Sequence, residues 1–197
     1  LVTNAQAGDI TVADDITKSS GGNASLTLAA HNTITLNSNV NITSSSGKLD
    51  VTLSSDRDNL GGGAIVMNSG SSIVSNGGNI ILGGGDSVGG GDAVGEGTNK
   101  AGIKLDNAVL NSGVGNISLM GTGLAASNNA FGVQIANGSS LSATSGNITV
   151  DGIGGSGDGS ATELNIGIYI TGATASAITS DSGSISITGT GGSGTGA

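Results

Sequence analysis

Aliphatic residues along this chain come in short bursts that alternate with Ser, Thr and Asn, and the bursts recur. The five-residue word Gly78-Asn79-Ile80-Ile81-Leu82 has near-copies at Gly8-Asp9-Ile10-Thr11-Val12, Gly115-Asn116-Ile117-Ser118-Leu119, Gly146-Asn147-Ile148-Thr149-Val150 and Gly183-Ser184-Ile185-Ser186-Ile187. A catalytic motif normally occurs once per domain, whereas a recurring word marks a structural unit. Taking the first apolar residue of each word as an anchor gives Ile10, Leu49, Ile80, Ile117, Ile148 and Ile185. Seven residues before the last five anchors stand Ile42, Ile73, Leu110, Leu141 and Ile178, all aliphatic. Further upstream come Ile34, Ile65, Ile103, Val133 and Ile168, each with a second apolar residue two positions on, at Leu36, Met67, Leu105, Ile135 and Ile170. Apolar-x-apolar is the period of a strand with one face inside and one outside. Each unit therefore holds three short strands.

A heptad coiled coil also produces seven-residue spacings. It is excluded by the Gly and Asn between the bursts, which are poor helix residues, and by the loss of the spacing between units. Three short strands joined by Gly/Asn/Ser turns and repeated end to end describe one coil of a parallel β-helix. About six coils stacked roughly 4.8 Å apart span some 25–30 Å, and residues 1–197 are expected to form one such segment. The Gly-Asn pair of each word is expected to turn a corner by adopting left-handed backbone. Asn79, Asn116 and Asn147 should then share a corner, their amides hydrogen-bonding as a ladder. From anchor to next first strand takes 16, 23, 16 and 20 residues, so length varies at one corner only. That corner should carry excursions, where repeat proteins place variable surface. In the first 30 residues Leu26-Thr27-Leu28 resembles an anchor strand with its Gly displaced.

Composition narrows the chemistry. The chain has one Phe, one Tyr and no Trp, so the core must rest on Ile, Leu, Val and Ala. Its 39 glycines alone would suggest a flexible linker, but regularly placed β-branched residues argue against that. Fourteen acidic and five basic residues give a net charge of −9. Charge of that sign disfavours nucleic-acid partners and anionic membrane surfaces. No run approaches the roughly 20 apolar residues of a transmembrane helix. The chain opens at Leu1 without a signal peptide and reads as a segment of something processed or longer. Absence of Cys excludes disulfides and thiolate metal sites.

The stretches GDITVADDITKSSGGNASLTLAAHNTITLNSNVNITSSSGKLDVTLSSD and GGGAIVMNSGSSIVSNGGNIIL resemble the filamentous-haemagglutinin-like exoproteins of bacterial two-partner secretion. The resemblance extends over most of the chain and is strongest from Gly8 to Leu82. It implies a right-handed parallel β-helix, exported unfolded through an outer-membrane secretion partner and displayed on or released from a Gram-negative cell. Members of that family include adhesins, haem-acquisition proteins and the sticks of contact-dependent toxins. The identifying stretches of the secretion domain and a carboxy-terminal toxin are not evident, so the chain resembles the repeat body.

Several β-helix proteins act on polysaccharides with paired carboxylates. Asp56 and Asp58 flank Arg57, while Asp151, Asp158 and Glu163 lie in one excursion; all are expected to be solvated loop charges. Sugar sites also want an aromatic platform, and only Phe131 and Tyr169 exist. Tyr169 should face outward against a neighbouring excursion, and Phe131 should fill a gap where a loop re-enters. The Gly-rich run holding Asp86 and Asp92 invites a calcium reading, but a calcium roll repeats Asp every nine residues and these are six apart; a mobile loop is expected. The only histidine, His31, is expected in a surface turn, leaving no Cys/His dyad or metal cluster. Thr11, Thr27, Thr35, Thr52, Ser118, Thr149 and Ser186 could form an ice-binding-type array on one flat wall, but Ile81 interrupts it.

The reading that follows is a structural and adhesive segment of a secreted or cell-surface bacterial protein, with no catalytic, cofactor or metal site assigned. Its expected partners are neighbouring coils or other copies end to end, the secretion partner, and a host or cell-surface glycan or protein met by the loops. Two alternatives stand beside it: a self-assembling filament subunit, and a polysaccharide-binding or polysaccharide-degrading β-helix protein.

Overall fold

The computed structural model describes residues 8–157 and 164–193. They form a right-handed parallel β-helix of six coils, with no helix among the described residues. Coil 1 holds β1 (Ile10–Val12), β2 (Ile16–Lys18) and β3 (Ala24–Ala29); coil 2 holds β4 (Ile34–Leu36), β5 (Asn41–Ser44) and β6 (Leu49–Ser55). Coil 3 holds β7 (Ile65–Met67), β8 (Ser72–Val74) and β9 (Ile80–Gly84), followed by the short β10 (Ala93–Val94) in its excursion. Coil 4 holds β11 (Ile103–Asp106), β12 (Val109–Gly113) and β13 (Ile117–Thr122); coil 5 holds β14 (Val133–Ala136), β15 (Ser140–Ala143) and β16 (Ile148–Ile153). Coil 6 holds β17 (Ile168–Thr171), β18 (Ala177–Ser180) and β19 (Ile185–Thr190). The first, third and second strands of the coils stack into sheets one, two and three, in the orders β1-β4-β7-β11-β14-β17, β3-β6-β9-β13-β16-β19 and β2-β5-β8-β12-β15-β18.

The period of two becomes files of identical chemistry. In sheet one Ile10, Ile34, Ile65, Ile103, Val133 and Ile168 lie in register, each directly on the last. Sheet three stacks Ile16, Ile42, Ile73, Leu110, Leu141 and Ile178. Aliphatic side chains meet across the three-sided interior, and Ile34, Leu36, Ile65, Met67, Ile80, Leu105 and Leu110 are completely buried. Aromatic rings are not needed, because a column this narrow is filled by branched four-carbon side chains from three walls.

Two anchors are corrected. Ile10 is not at the Gly-Asn corner: Gly8-Asp9-Ile10-Thr11-Val12 leads into sheet one, where Ile10 pairs with Ile34. In coil 2 the residue beside Ile80 is Val51, while Leu49 lies beside Ala24. Coil 1 therefore does carry a copy of the word, as Gly22-Asn23-Ala24. The pairing moves by two residues between coils 2 and 3. Because two is the strand period, Leu49 stays inward and buried, and the sequence spacing looks unbroken.

The reason for the Gly of the word is also corrected. Gly78, Gly115, Gly146 and Gly183 do not have positive φ, nor do Asn79, Asn116 and Asn147, whereas Gly47 at the same corner of coil 2 does adopt left-handed backbone, at φ 68°. What requires glycine is close approach: a Cβ at Gly146 would fall well inside van der Waals contact of the Gly115 carbonyl oxygen, and one at Gly115 would meet the carbonyl of Gly78. The corner is where successive coils touch backbone to backbone.

Candidate functional site

The Asn ladder forms, with the backbone as its other half. Asn116 N–H donates to Asn79 Oδ1 at 2.9 Å, Asn147 N–H to Asn116 Oδ1 at 2.8 Å, and Ser184 N–H to Asn147 Oδ1 at 2.8 Å. Asp50 takes the Asn role below, accepting from Asn79 N–H at 2.7 Å. A serine behind the corner completes it: Ser75 Oγ donates to the Gly78 carbonyl and Ser112 Oγ to that of Gly115, both at 2.6 Å. These polar groups satisfy backbone, so their work is structural.

The excursions also stack on one another. Leu124 N–H donates to the Lys100 carbonyl at 2.9 Å, Ser127 N–H to that of Ser156 at 3.0 Å, and Gly155 N–H to that of Ala130 at 2.9 Å. The Gly-rich run expected to be a mobile loop is folded back on the column. Gly84 and Gly91 form an antiparallel bridge, Gly89 N–H donates to Ser54 Oγ at 3.1 Å over the outer face of sheet two, and β10 pairs with Gly121 and Thr122 of β13. Asp92 Oδ2 accepts from Thr122 Oγ1 at 2.6 Å, while Asp86 is exposed. Among the described residues no three His, Cys, Asp or Glu side chains gather in a metal-holding group.

Asp56 is not a solvated loop charge. It is 1% exposed, has positive φ, and its Oδ1 accepts from Gly61 N–H at 3.1 Å and Gly62 N–H at 3.2 Å, tying the loop after β6. Its Oδ2 is buried without a hydrogen-bond partner, as is Arg57 Nε. Loss of solvation pushes the Asp56 carboxyl above the usual carboxylate range, with the nearby Asp58 charge adding to this and the loop N–H groups opposing it. Asp151 is exposed on the outer face of sheet two, three coils away. At about 4.8 Å per coil that is about 14 Å along the axis, beyond the roughly 5–9.5 Å that separates glycosidase carboxylates. Asp158 and Glu163 lie outside the described residues. His31 is half-buried in the turn between β3 and β4.

The outward Thr and Ser residues do not share one wall. Thr11 and Thr35 are on sheet one, whereas Thr27, Thr52, Ile81, Ser118, Thr149 and Ser186 form a file on sheet two. Ile81 interrupts that file as expected, and it packs under the folded-back loop at Gly89.

A cation, an amide and an aromatic ring come together instead on sheet one. Its outward file runs Thr11, Thr35, Val66, Lys104, Gln134 and Tyr169 in successive coils. The last three residues pair a cation, an amide and an aromatic ring on adjacent strands. Phe131, 8% exposed, stacks on Tyr169 with ring centroids 4.6 Å apart and planes 30° apart. Both rings therefore do what was expected of each, and they do it together. Beside them a cleft of about 180 Å³ is lined by Lys100, Lys104, Asn129, Phe131 and Gln134 among others. Lys100 Nζ is held by Asn128, donating to its carbonyl at 3.1 Å and its Oδ1 at 3.0 Å. The cleft was not legible in the sequence because its residues come from two coils and two excursions. The rarity of their types was the available signal: both aromatics and two of the five basic residues are here.

At the far end the inward file is uncovered. Ile170 and Ile187 are each 48% exposed and Ile185 43% exposed, although the residues stacked beneath them, Ile135, Val150 and Ile148, are wholly buried. Ile168, Ile170 and Ile187 line an open hollow of about 620 Å³ there.

Compared with family models, with curated proteins and with solved structures, the chain matches none.

Proposed function

We propose that this chain is a structural and adhesive module of a secreted bacterial surface protein, a β-helical column that holds contact surfaces away from the cell. The observation that carries the reading is continuity: three parallel ladders run through all six coils, and the inner face of coil 6 presents Ile170, Ile185 and Ile187 as the next layer of the same core. Columns of stacked coils gain stability from each neighbour. Coil-by-coil addition also suits export of an unfolded chain, in keeping with the filamentous-haemagglutinin-like resemblance and an outer-membrane secretion partner.

The same open end favours a second reading, in which copies stack head to tail as a filament, since a contact between unlike ends does not close on itself. The intact mass of the native polypeptide isolated from its source separates the two. A mass far above 18.5 kDa fits a long stalk, and a mass near it fits a filament subunit. Antibody labelling and protease shaving of intact cells test the shared premise: signal confined to the cell interior would sink both.

A further inference from the structure

We propose that the cleft on the outer face of sheet one, at coils 4 and 5 and the excursions before them, binds a carboxylated saccharide. The proposal rests on the adhesive part of that reading and gives its contact surface a ligand class; the test is made on the isolated chain, so its failure leaves the column and its cell-surface location standing. Four observations converge on it.

Charge comes first. The chain carries 14 acidic and five basic residues, yet Lys100 and Lys104 both line this one cleft. Lys100 is pinned by Asn128, whereas among the described residues nothing accepts a hydrogen bond from Lys104 Nζ. The next outward residue on that strand, Asp106, is engaged elsewhere, accepting from Asn137 Nδ2 at 2.7 Å. Lys104 is a half-buried residue whose ammonium, with three donors, has no partner among the described residues, and so is a seat for an anion. On an acidic surface one such seat takes a single carboxylate of a short chain, because a long, densely charged polyanion such as a nucleic acid meets repulsion everywhere else.

Second, the neighbours of Lys104 supply what a sugar needs besides its acid. Gln134, one strand over, offers both a donor and an acceptor, the combination that matches adjacent hydroxyls. Phe131 lines the cleft, although only 8% exposed, and its stack on the half-buried Tyr169 just outside fixes both rings, so the apolar C–H face of a pyranose leaving the cleft can lie along the open side of Tyr169 at little conformational cost. Third, size decides against larger ligands: about 180 Å³ is below the roughly 300 Å³ at which drug-sized pockets begin. One sugar unit fits, with the rest of a chain running outward. Fourth, sheet one pairs β11 and β14 on both sides. No main-chain edge is free there for a peptide to add as a strand, so recognition must come from side chains, as for a saccharide.

The test is titration of the ¹⁵N-labelled 197-residue chain with two acids, tri-galacturonate and 3′-sialyllactose, and with fully methyl-esterified tri-galacturonate, followed by amide chemical shifts. One of the acids should bind with a Kd of about 1 mM or tighter, with shifts centred on Lys104, Gln134 and Tyr169; which acid does so separates a plant-type uronate from an animal-type sialate. Lys104→Gln and the methyl ester should each weaken binding at least about ten-fold, the usual loss when a charged hydrogen-bond partner is removed. Gln134→Ala should weaken it less, and Lys48→Gln, at the opposite corner of coil 2, should change nothing. Melting curves check that the variants keep the column. Absence of binding by both acids, equal binding of the ester, unchanged affinity in Lys104→Gln, or shifts centred elsewhere would each overturn the proposal.

Discussion

Two corners of the column solve one packing problem in different ways. At the corner entering sheet two, each coil from the second onward places Gly against the backbone of the previous coil, and an Asn or Asp oxygen is handed to the next coil's N–H. At the corner leaving sheet two, excursions of different length meet through their own carbonyls and N–H groups, with glycines such as Gly102 and Gly132 packed against neighbouring backbone. The first corner repeats because a side chain of fixed reach bridges a fixed coil spacing. The second varies because backbone hydrogen bonds can link loops of any sequence, provided that no Cβ intervenes. High Gly content here reflects contact between coils as much as freedom of the chain.

The largest effect that would break this comparison is at the shared corner. Gly146→Val should destabilise by about 3 kcal/mol or more, because backbone rather than a yielding side chain blocks the new atoms. Gly22 is the same letter of the same word, but in coil 1 a Cβ meets nothing within 4 Å and φ is not positive. Gly22→Ala should therefore be neutral or gain up to about 1 kcal/mol through the unfolded state. Thermal melts of both variants decide the matter; equal losses would mean that Gly serves local conformation and not stacking. Next comes the core: Leu105→Ala should cost about 2–5 kcal/mol in urea denaturation, as a fully buried side chain between two coils leaves a cavity.

A smaller effect is expected at the ladder. Asn116→Ala removes an acceptor for Asn147 N–H at an exposed position, where water can replace it, so about 1 kcal/mol should be lost. A loss near zero would make the Asn a matter of turn preference alone. The smallest and most pH-dependent effect is at the excursion corner, at Asp56. Its folded pKa is raised above the unfolded value, so ionisation opposes folding. Stability tied to this group is fully present below the unfolded pKa, near 3.8, and falls as pH rises through the folded pKa. Asp56→Asn keeps an oxygen for Gly61 and Gly62 and carries no charge. It should therefore match or exceed the parent at neutral pH, with the advantage shrinking toward pH 4 in parallel denaturation series. An advantage that grew on acidification would reverse the assignment.

The repeat, the three strands of each coil, the inward files and the single variable corner were all legible in the chain. A period of two and a recurrent spacing report directly on which side chains must be buried together, and the expected Asn ladder follows from the same repetition. The two-residue shift at Leu49 and Val51 was not legible, since a shift by one full strand period preserves every inward and outward assignment. Nor was the burial of Asp56, which depends on a loop closing over it, or the folding back of the Gly-rich excursion.

What the sequence determined by itself was therefore the column, because local alternation and coil-to-coil repetition are the same information written twice. Only the tertiary structure decided where the rare side chains meet. Lys104, Phe131, Gln134 and Tyr169 are spread over 66 positions of sequence but stand on neighbouring coils, and each coil advances only about 4.8 Å. Stacking brings residues together by coil number and strand position, which no single stretch of the chain contains.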